Sequence, residues 1–209
     1  MTNMMIIEST RHQVAIAGQV IDKQTGWVIA GARVEISSSP PTFEEWLSER
    51  KKQYGDGWEQ MEERADRVRT AADGHFHFVN LPGGQYTLTA SLLNRGSRYG
   101  TAQSNVAVSV AANGDVTMAI ADIALPPTTI KGKVTKQGDG VITLAEVKVK
   151  GSGERVFTNS KGEYLLTGLE KGERTVLVSA QGCKTGSQTT QLTRGAVKTL
   201  DFVLLPPAS

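Results

Sequence analysis

The 209-residue sequence predicts an all-β fold: two β-sandwiches in tandem, the first carrying an inserted helical hairpin. Three observations lead there. One pattern of strand-forming segments occurs twice along the chain. Within those segments apolar and polar residues alternate, the period of a strand with one buried and one wet face. Finally, 22 glycines punctuate short runs of Val, Ile, Leu and Thr, the composition of a turn-rich β protein. The length suits two modules of roughly 100 residues, each able to bury a core.

The first copy opens at Ala17-Gly18-Gln19-Val20, continues with residues 31–36 (GARVEI), and runs from Asp73-Gly74 to Ala90. The second opens at Ile130-Lys131-Gly132-Lys133-Val134, continues with residues 144–149 (LAEVKV), and runs from Lys161-Gly162 to Val178. Val34 and Ile36 alternate with Arg33 and Glu35, and Phe76 and Phe78 with His75 and His77, so each strand has one core face. Asp73-Gly74 and Lys161-Gly162 supply hairpin turns. Each copy closes on another apolar strand, residues 116–124 and 198–205, giving about seven strands per copy. Pro126-Pro127 cannot continue a strand ladder and reads as a stiff linker. The resulting division is an N-terminal segment 1–13, a first sandwich 14–125, a linker 126–129, a second sandwich 130–205 and a tail 206–209.

Gly18 and Gly132 are 114 residues apart, Gly74 and Gly162 only 88, so the first copy holds about 26 extra residues. They fall between about 40 and 68, where the period of two fails. Thr42 with Glu45, and Asp56 with Glu59, have the spacing of capping boxes. Phe43, Trp46, Leu47 and Tyr54 then share one helical face, and Trp58, Met61, Ala65 and Val68 another, with a break at Gly55-Asp56-Gly57. A helical hairpin is expected.

The block Thr70, Asp73, Gly74, Phe76, Phe78, Leu81, Pro82, Gly84, Tyr86 and Leu88, behind an opening Gly18-x-Val20 strand, resembles the carboxypeptidase regulatory-like domains, whose fold is transthyretin-like. The second copy departs from that pattern: Lys161 replaces the turn Asp, Glu170-Lys171 the Pro region, and Arg174 the Tyr. The resemblance implies non-catalytic modules used as adaptors in many settings. The helical insertion and residues 96–102 are similar to a variant that accompanies phage-tail-like contractile injection systems, which implies a structural or assembly role.

Charge is divided unevenly. Residues 1–128 hold 11 Lys/Arg and 14 Asp/Glu, residues 129–209 hold 12 and 7. The basic residues of the second half are spread over several strands without the interleaved aromatics of a base-stacking platform, which argues against nucleic acid. Cys183 is the single cysteine, so neither an intrachain disulfide nor a multi-cysteine zinc site can form. No apolar run approaches the roughly 20 residues of a membrane helix. Met1 to Ile7 lacks a basic leader and a cleavage site, so a cytoplasmic protein, or one incorporated into a larger particle, is expected.

Catalytic constellations are missing from the sequence. His75 and His77 share a strand face and are the only weak metal candidates; a zinc site needs more ligands, and the alternative is a solvent-facing pair. No Gly-x-Ser-x-Gly elbow occurs. Hydroxyisourate hydrolases of the transthyretin-like fold end in Tyr-Arg-Gly-Ser, whereas this chain ends Leu205-Pro206-Pro207-Ala208-Ser209. Adhesin-type Lys–Asn isopeptides would need an asparagine in the last strand beside Lys131 or Lys133, and only Asp201 stands there. Asp22, Asp56 and Asp139 read as turn formers. No cofactor is called for. Phe43, Trp46, Trp58 and Met61 on the insertion are the candidate partner-binding residues, since aromatics on an inserted element serve as interface anchors; the competing reading packs them on their own sandwich. The expected function is a structural or adaptor protein that binds a protein partner. A carbohydrate-binding or adhesive module is the alternative class.

Overall fold

A computed structural model describes residues 12–138 and 140–207. Residues 1–11, 139, 208 and 209 lie outside the described residues, and with them the reading of Asp139 as a turn former. Two β-sandwiches are built on the same plan. In the first, β1 (Val14–Asp22) lies between β4 (His75–Val79), antiparallel, and β8 (Ala119–Ile120), parallel, with β9 (Ile123–Leu125) also on β1. The facing sheet has the order β3 (Arg67–Arg69), β2 (Arg33–Ser38), β5 (Gly84–Ser91), β6 (Ala102–Val110), β7 (Val116–Thr117). The second copy repeats both sheets. β10 (Thr129–Lys136) lies between β13 (Glu163–Leu166) and β16 (Val197–Thr199), with β17 (Phe202–Leu204) also on β10. Facing it are β12 (Arg155–Phe157), β11 (Glu146–Val149), β14 (Gly172–Ser179) and β15 (Gly186–Leu192). Inward residues of each copy form its core: Ile16, Val34, Phe78, Tyr86 and Leu88 in the first, Ile130, Val147, Tyr164, Val176 and Phe202 in the second.

Why the opening strand of each copy reads Gly-x-Val is visible at the closing strand. Between β8 and β9 the chain steps across β1, with the Ala121 amide donating to Ala17 O (2.9 Å) and Asp122 Oδ1 accepting the Gln19 amide (2.9 Å). The second copy does the same, Leu200 donating to Lys131 O (2.8 Å) and Asp201 Oδ1 accepting from Lys133 (2.8 Å). A Cβ on Gly18 would stand 2.3 Å from Ala121 O, and one on Gly132 2.0 Å from Leu200 O. Only glycine admits the crossing chain.

A buried threonine serves each copy equally. Thr70 Oγ1 donates to Ile29 O (2.7 Å) and accepts from the Ala32 amide (2.9 Å); Thr158 Oγ1 donates to Ile142 O (2.7 Å) and accepts from Ala145 (2.9 Å). Replacing Thr70 by Val keeps the shape and strands two buried backbone groups, so Thr70→Val should cost about 2 kcal/mol in urea unfolding. A loss below a few tenths would mean that water reaches both groups.

The positions where the second copy departs from the pattern are compensated. Lys161 cannot cap its turn as Asp73 does for His75, and Asn159 Oδ1 instead accepts the amides of Lys161 and Glu163, both at 2.9 Å. Tyr86 donates its hydroxyl to Pro82 O four residues back (2.8 Å); Arg174, in the equivalent place, donates Nε to Glu170 O (3.1 Å). The backbone tie survives the change of side chain.

The insertion differs from the expected hairpin. Its first arm is a helix, α1 (Pro41–Tyr54), but the second is a single turn, α2 (Gly57–Gln60), and Val68 belongs to β3. Neither predicted cap makes a side-chain bond: α1 starts on Pro40 with Pro41 in its first turn, and Asp56 precedes α2 without capping it. Two arginines explain the short arm. Arg64 chelates Asp66 (2.9 and 3.0 Å), stacks over the Trp58 ring (5.0 Å) and reaches Trp58 O, while Arg67 donates to the carbonyls of Glu59 and Met61. Carbonyls that a continuing helix would use are taken by guanidinium groups.

By spatial contact the chain divides into two compact units: unit 1 is 1–20, 28–90 and 103–123, and unit 2 is 21–27, 91–102 and 124–209. Segments 21–27 and 91–102 of the first repeat therefore group with the second copy. Within unit 2, Pro126 and Pro127 are tied along their length: Gly100 donates to Pro126 O (2.8 Å), and Pro127 bridges Tyr99.

Candidate functional site

The insertion forms one wall of a groove in unit 1. Its opposite wall is β4 and the turn after it, and the enclosed volume is about 610 Å³. Thr42, Phe43 and Trp46 come from α1, Glu63, Arg64 and Ala65 from the loop after α2, and His77, Val79, Asn80 and Pro82 from the sandwich. The wall on the sandwich side exists because strand alternation that sends Phe76 and Phe78 inward turns His77 and Val79 outward.

Of the four candidate residues, Phe43 (3% exposed) and Trp58 (5% exposed) sit in the module's own core. Phe43 meets Tyr86 edge-on at 6.0 Å, and Trp58 is held between Tyr54 and Arg64. Met61 is half-buried. Trp46 is 43% exposed; it stacks on Phe43 at 5.7 Å on one face and carries Arg50 at 5.3 Å. Trp46 thus presents part of an indole at the lip of the groove, a residue type enriched among interface anchors. Sequence reasoning did not bring Glu63, Val79, Asn80 and Pro82 into this lining, because their common position depends on β4 meeting an insertion that precedes it in the chain.

His75 and His77 both point to solvent; His75 Nδ1 lies 3.3 Å from Asp73 Oδ2, and His77 faces the groove. Among the described residues no three His, Cys, Asp or Glu side chains converge as a metal site would require, and no helix is long and apolar enough to cross a membrane. Asp22 is a turn former as expected, its Oδ1 accepting from Gln24 (2.7 Å) and Thr25 (2.9 Å), and its Oδ2 accepting from the Tyr99 hydroxyl (2.8 Å). Burial and that bond to a carboxylate push Tyr99 up to about 12.

Unit 2 has its own depression, of about 480 Å³, at the equivalent flank between β12 and β13. Here no insertion stands over it. In unit 1, Arg69 pairs with Glu62 of the insertion (3.0 Å). The equivalent residue, Phe157, is 53% exposed beside Lys131 and Lys133.

A polar cluster ties residues 97–99 into unit 2. Glu170 accepts bonds from the Ser97 hydroxyl and amide and pairs with Arg98 (3.2 Å), which also meets Glu154 (3.0 Å). The Ser97 donors hold the Glu170 carboxyl below its ordinary 4.5. A carboxylate depressed by folding stabilises above its unfolded pKa, and that contribution is lost as pH falls through the folded value. Glu170→Gln should therefore flatten the decline of the melting temperature below pH 4.5, with the neutral-pH melt lowered. An unchanged acid limb would remove Glu170 from this role.

No curated protein matches the chain. Among solved structures, the shaft pilin SpaA of Lactobacillus rhamnosus GG is similar over 95% of this chain and 99% of that one, at 13% identity and a TM-score of 0.42. A minor pilin of Streptococcus agalactiae aligns over 93% and 96%, at 14% identity and a TM-score of 0.32. A type II cohesin–X–dockerin complex from Acetivibrio cellulolyticus aligns over 38% of this chain at 17% identity and a TM-score of 0.34, and the chain spans 58% of that relative. The model of the carboxypeptidase regulatory-like domain matches twice, over residues 15–121 and again over 129–205, and the chain belongs to that family.

Proposed function

We propose that the protein is a non-catalytic structural or adaptor subunit that binds a protein partner through the groove between α1 and β4. The observation that carries this reading is Trp46, half-exposed and clamped by Phe43 and Arg50 at the edge of an apolar-lined cleft. Phe43 and Trp58 are buried in their own module, so the exposed aromatic surface of the insertion at the groove is that of Trp46. The insertion's similarity to the variant of phage-tail-like contractile injection systems favours an accessory part of such a particle, assembled in the cytoplasm.

Trp46→Ala removes exposed surface and should leave the melting temperature within a few degrees, because surface substitutions cost little. The same variant, used as bait beside the wild type in the native host, should lose its co-purifying partner. Retention of the partner by Trp46→Ala would dismiss the groove, and saturable binding on a glycan array would replace the proposal with the carbohydrate reading.

A further inference from the structure

The division of charge is steeper by spatial unit than by sequence repeat. Unit 1 holds 8 Lys/Arg against 13 Asp/Glu, a net −5, and unit 2 holds 15 against 8, a net +7. Each unit also carries a groove at the same flank of its sandwich, and the two grooves have opposite character. In unit 1, Glu63 lines the cleft and Glu45 stands three residues beyond Thr42 on α1; among the described residues neither carboxylate meets a cation. In unit 2, Lys131 and Lys133 project from β10 beside the exposed ring of Phe157, and neither meets a carboxylate among the described residues. Around the Trp46 groove the unpaired carboxylates Glu45 and Glu63 outnumber Arg50, which lies on the Trp46 ring and bonds Gln53; beside Phe157, Lys131 and Lys133 outnumber Glu163, a lining carboxylate that bonds Asn159. The balance of unpaired charge among the described residues is thus negative at one exposed aromatic and positive at the other.

We propose that the protein partner is a second copy of this chain, with the lysine-flanked Phe157 surface of one copy seated on the Trp46 groove of the next. The inference rests on the groove being a protein-binding site, as proposed above. Two different surfaces meet, so the contact is heterologous, and repeated it yields a ring or an open fibre. Opposite net charges hasten encounter and orient it, and screening by salt weakens it. The covering that Glu62 gives Arg69 inside unit 1 is supplied to Phe157 by the neighbouring copy.

Sedimentation velocity of the full chain at low ionic strength should show concentration-dependent species larger than the monomer that dissociate as sodium chloride is added. Two charge-reversed chains give the decisive arm. Glu45→Lys with Glu63→Lys makes both surfaces basic, and Lys131→Glu with Lys133→Glu makes both acidic. Each variant alone should remain monomeric, and an equimolar mixture should recover the large species. All four substitutions are at exposed positions, and circular dichroism of each variant checks that it folds. A wild-type chain that stays monomeric, or a mixture that stays monomeric while the wild type assembles, overturns the proposal. If the wild type stays monomeric but still captures another protein in a Trp46-dependent way, the self-association falls and the groove's binding role stands; if that capture is missing too, both fall.

Discussion

Gly132→Ala is expected to unfold the second sandwich at temperatures where the parent is native, lowering its stability by about 4 kcal/mol, in the range reserved for changes with no room to relax. The added methyl would sit 2.0 Å from Leu200 O and 2.7 Å from its carbonyl carbon, with the Tyr164 ring at 3.0 Å on the other side. Both a backbone carbonyl and a buried ring crowd it. Relief requires β16 and β17 to part from β10, which loses the Leu200-to-Lys131 bond and the Asp201 cap on Lys133. Gly153→Ala is the control, since its methyl would meet nothing within 4 Å and its backbone is not in the left-handed region; that variant should fall within about 0.5 kcal/mol of the parent. Calorimetry should show a transition displaced by more than about 15 °C for Gly132→Ala. A displacement of only a few degrees would mean that the crossing strand can shift without penalty, and the shared Gly-x-Val opening would then need another cause.

The repeat could be read because a sandwich imposes the same local demands on every copy. Alternation is set by one core face, and the turn Gly74 and the hydroxyl of Thr70 answer to contacts that recur at Gly162 and Thr158. Even the substitutions in the second copy follow this logic, since Arg174 keeps the backbone bond that Tyr86 makes. The insertion was legible up to Tyr54. Beyond it, the spacing of Trp58, Met61, Ala65 and Val68 imitates a helix, while the outcome is decided by Arg64 and Arg67 competing for carbonyls, which hydrophobic period does not register. Trp46 stood out as an aromatic on an inserted element. Phe157 did not, because its exposure follows from the lack of an insertion over β12, a difference visible only when the two copies are superposed strand by strand. Sequence division at Pro126-Pro127 follows the repeat, whereas the grouping of 91–102 with unit 2 is set by long-range bonds that no local pattern encodes.

That grouping leads to the second large effect: a fragment of residues 126–209, cut where the repeat ends, should be less stable than the same residues in the full chain by about 3 kcal/mol. In the full chain the Thr128 amide donates to Arg98 O (2.8 Å) and its hydroxyl to Ser97 O (2.9 Å), Lys171 donates to the Ser97 hydroxyl (2.8 Å), and Arg98 Nη1 reaches Gly168 O (2.7 Å). Thr128 is fully buried, so its groups lose partners unless water replaces them, and Glu170 loses both the Ser97 donors and Arg98. The ion pairs are partly exposed and add little; most of the loss lies in the backbone groups. Amide exchange in β10 and β14 should accelerate about a hundredfold in the fragment, the rate equivalent of that free energy when exchange proceeds through global opening. Arg98→Ala in the full chain should reproduce a smaller part, about 1 kcal/mol, because the Ser97 and Thr128 bonds remain. A fragment as well protected as the parent would mean that residues 91–102 lie on unit 2 without supporting it, and the boundary at Pro126-Pro127 would then be the physical one.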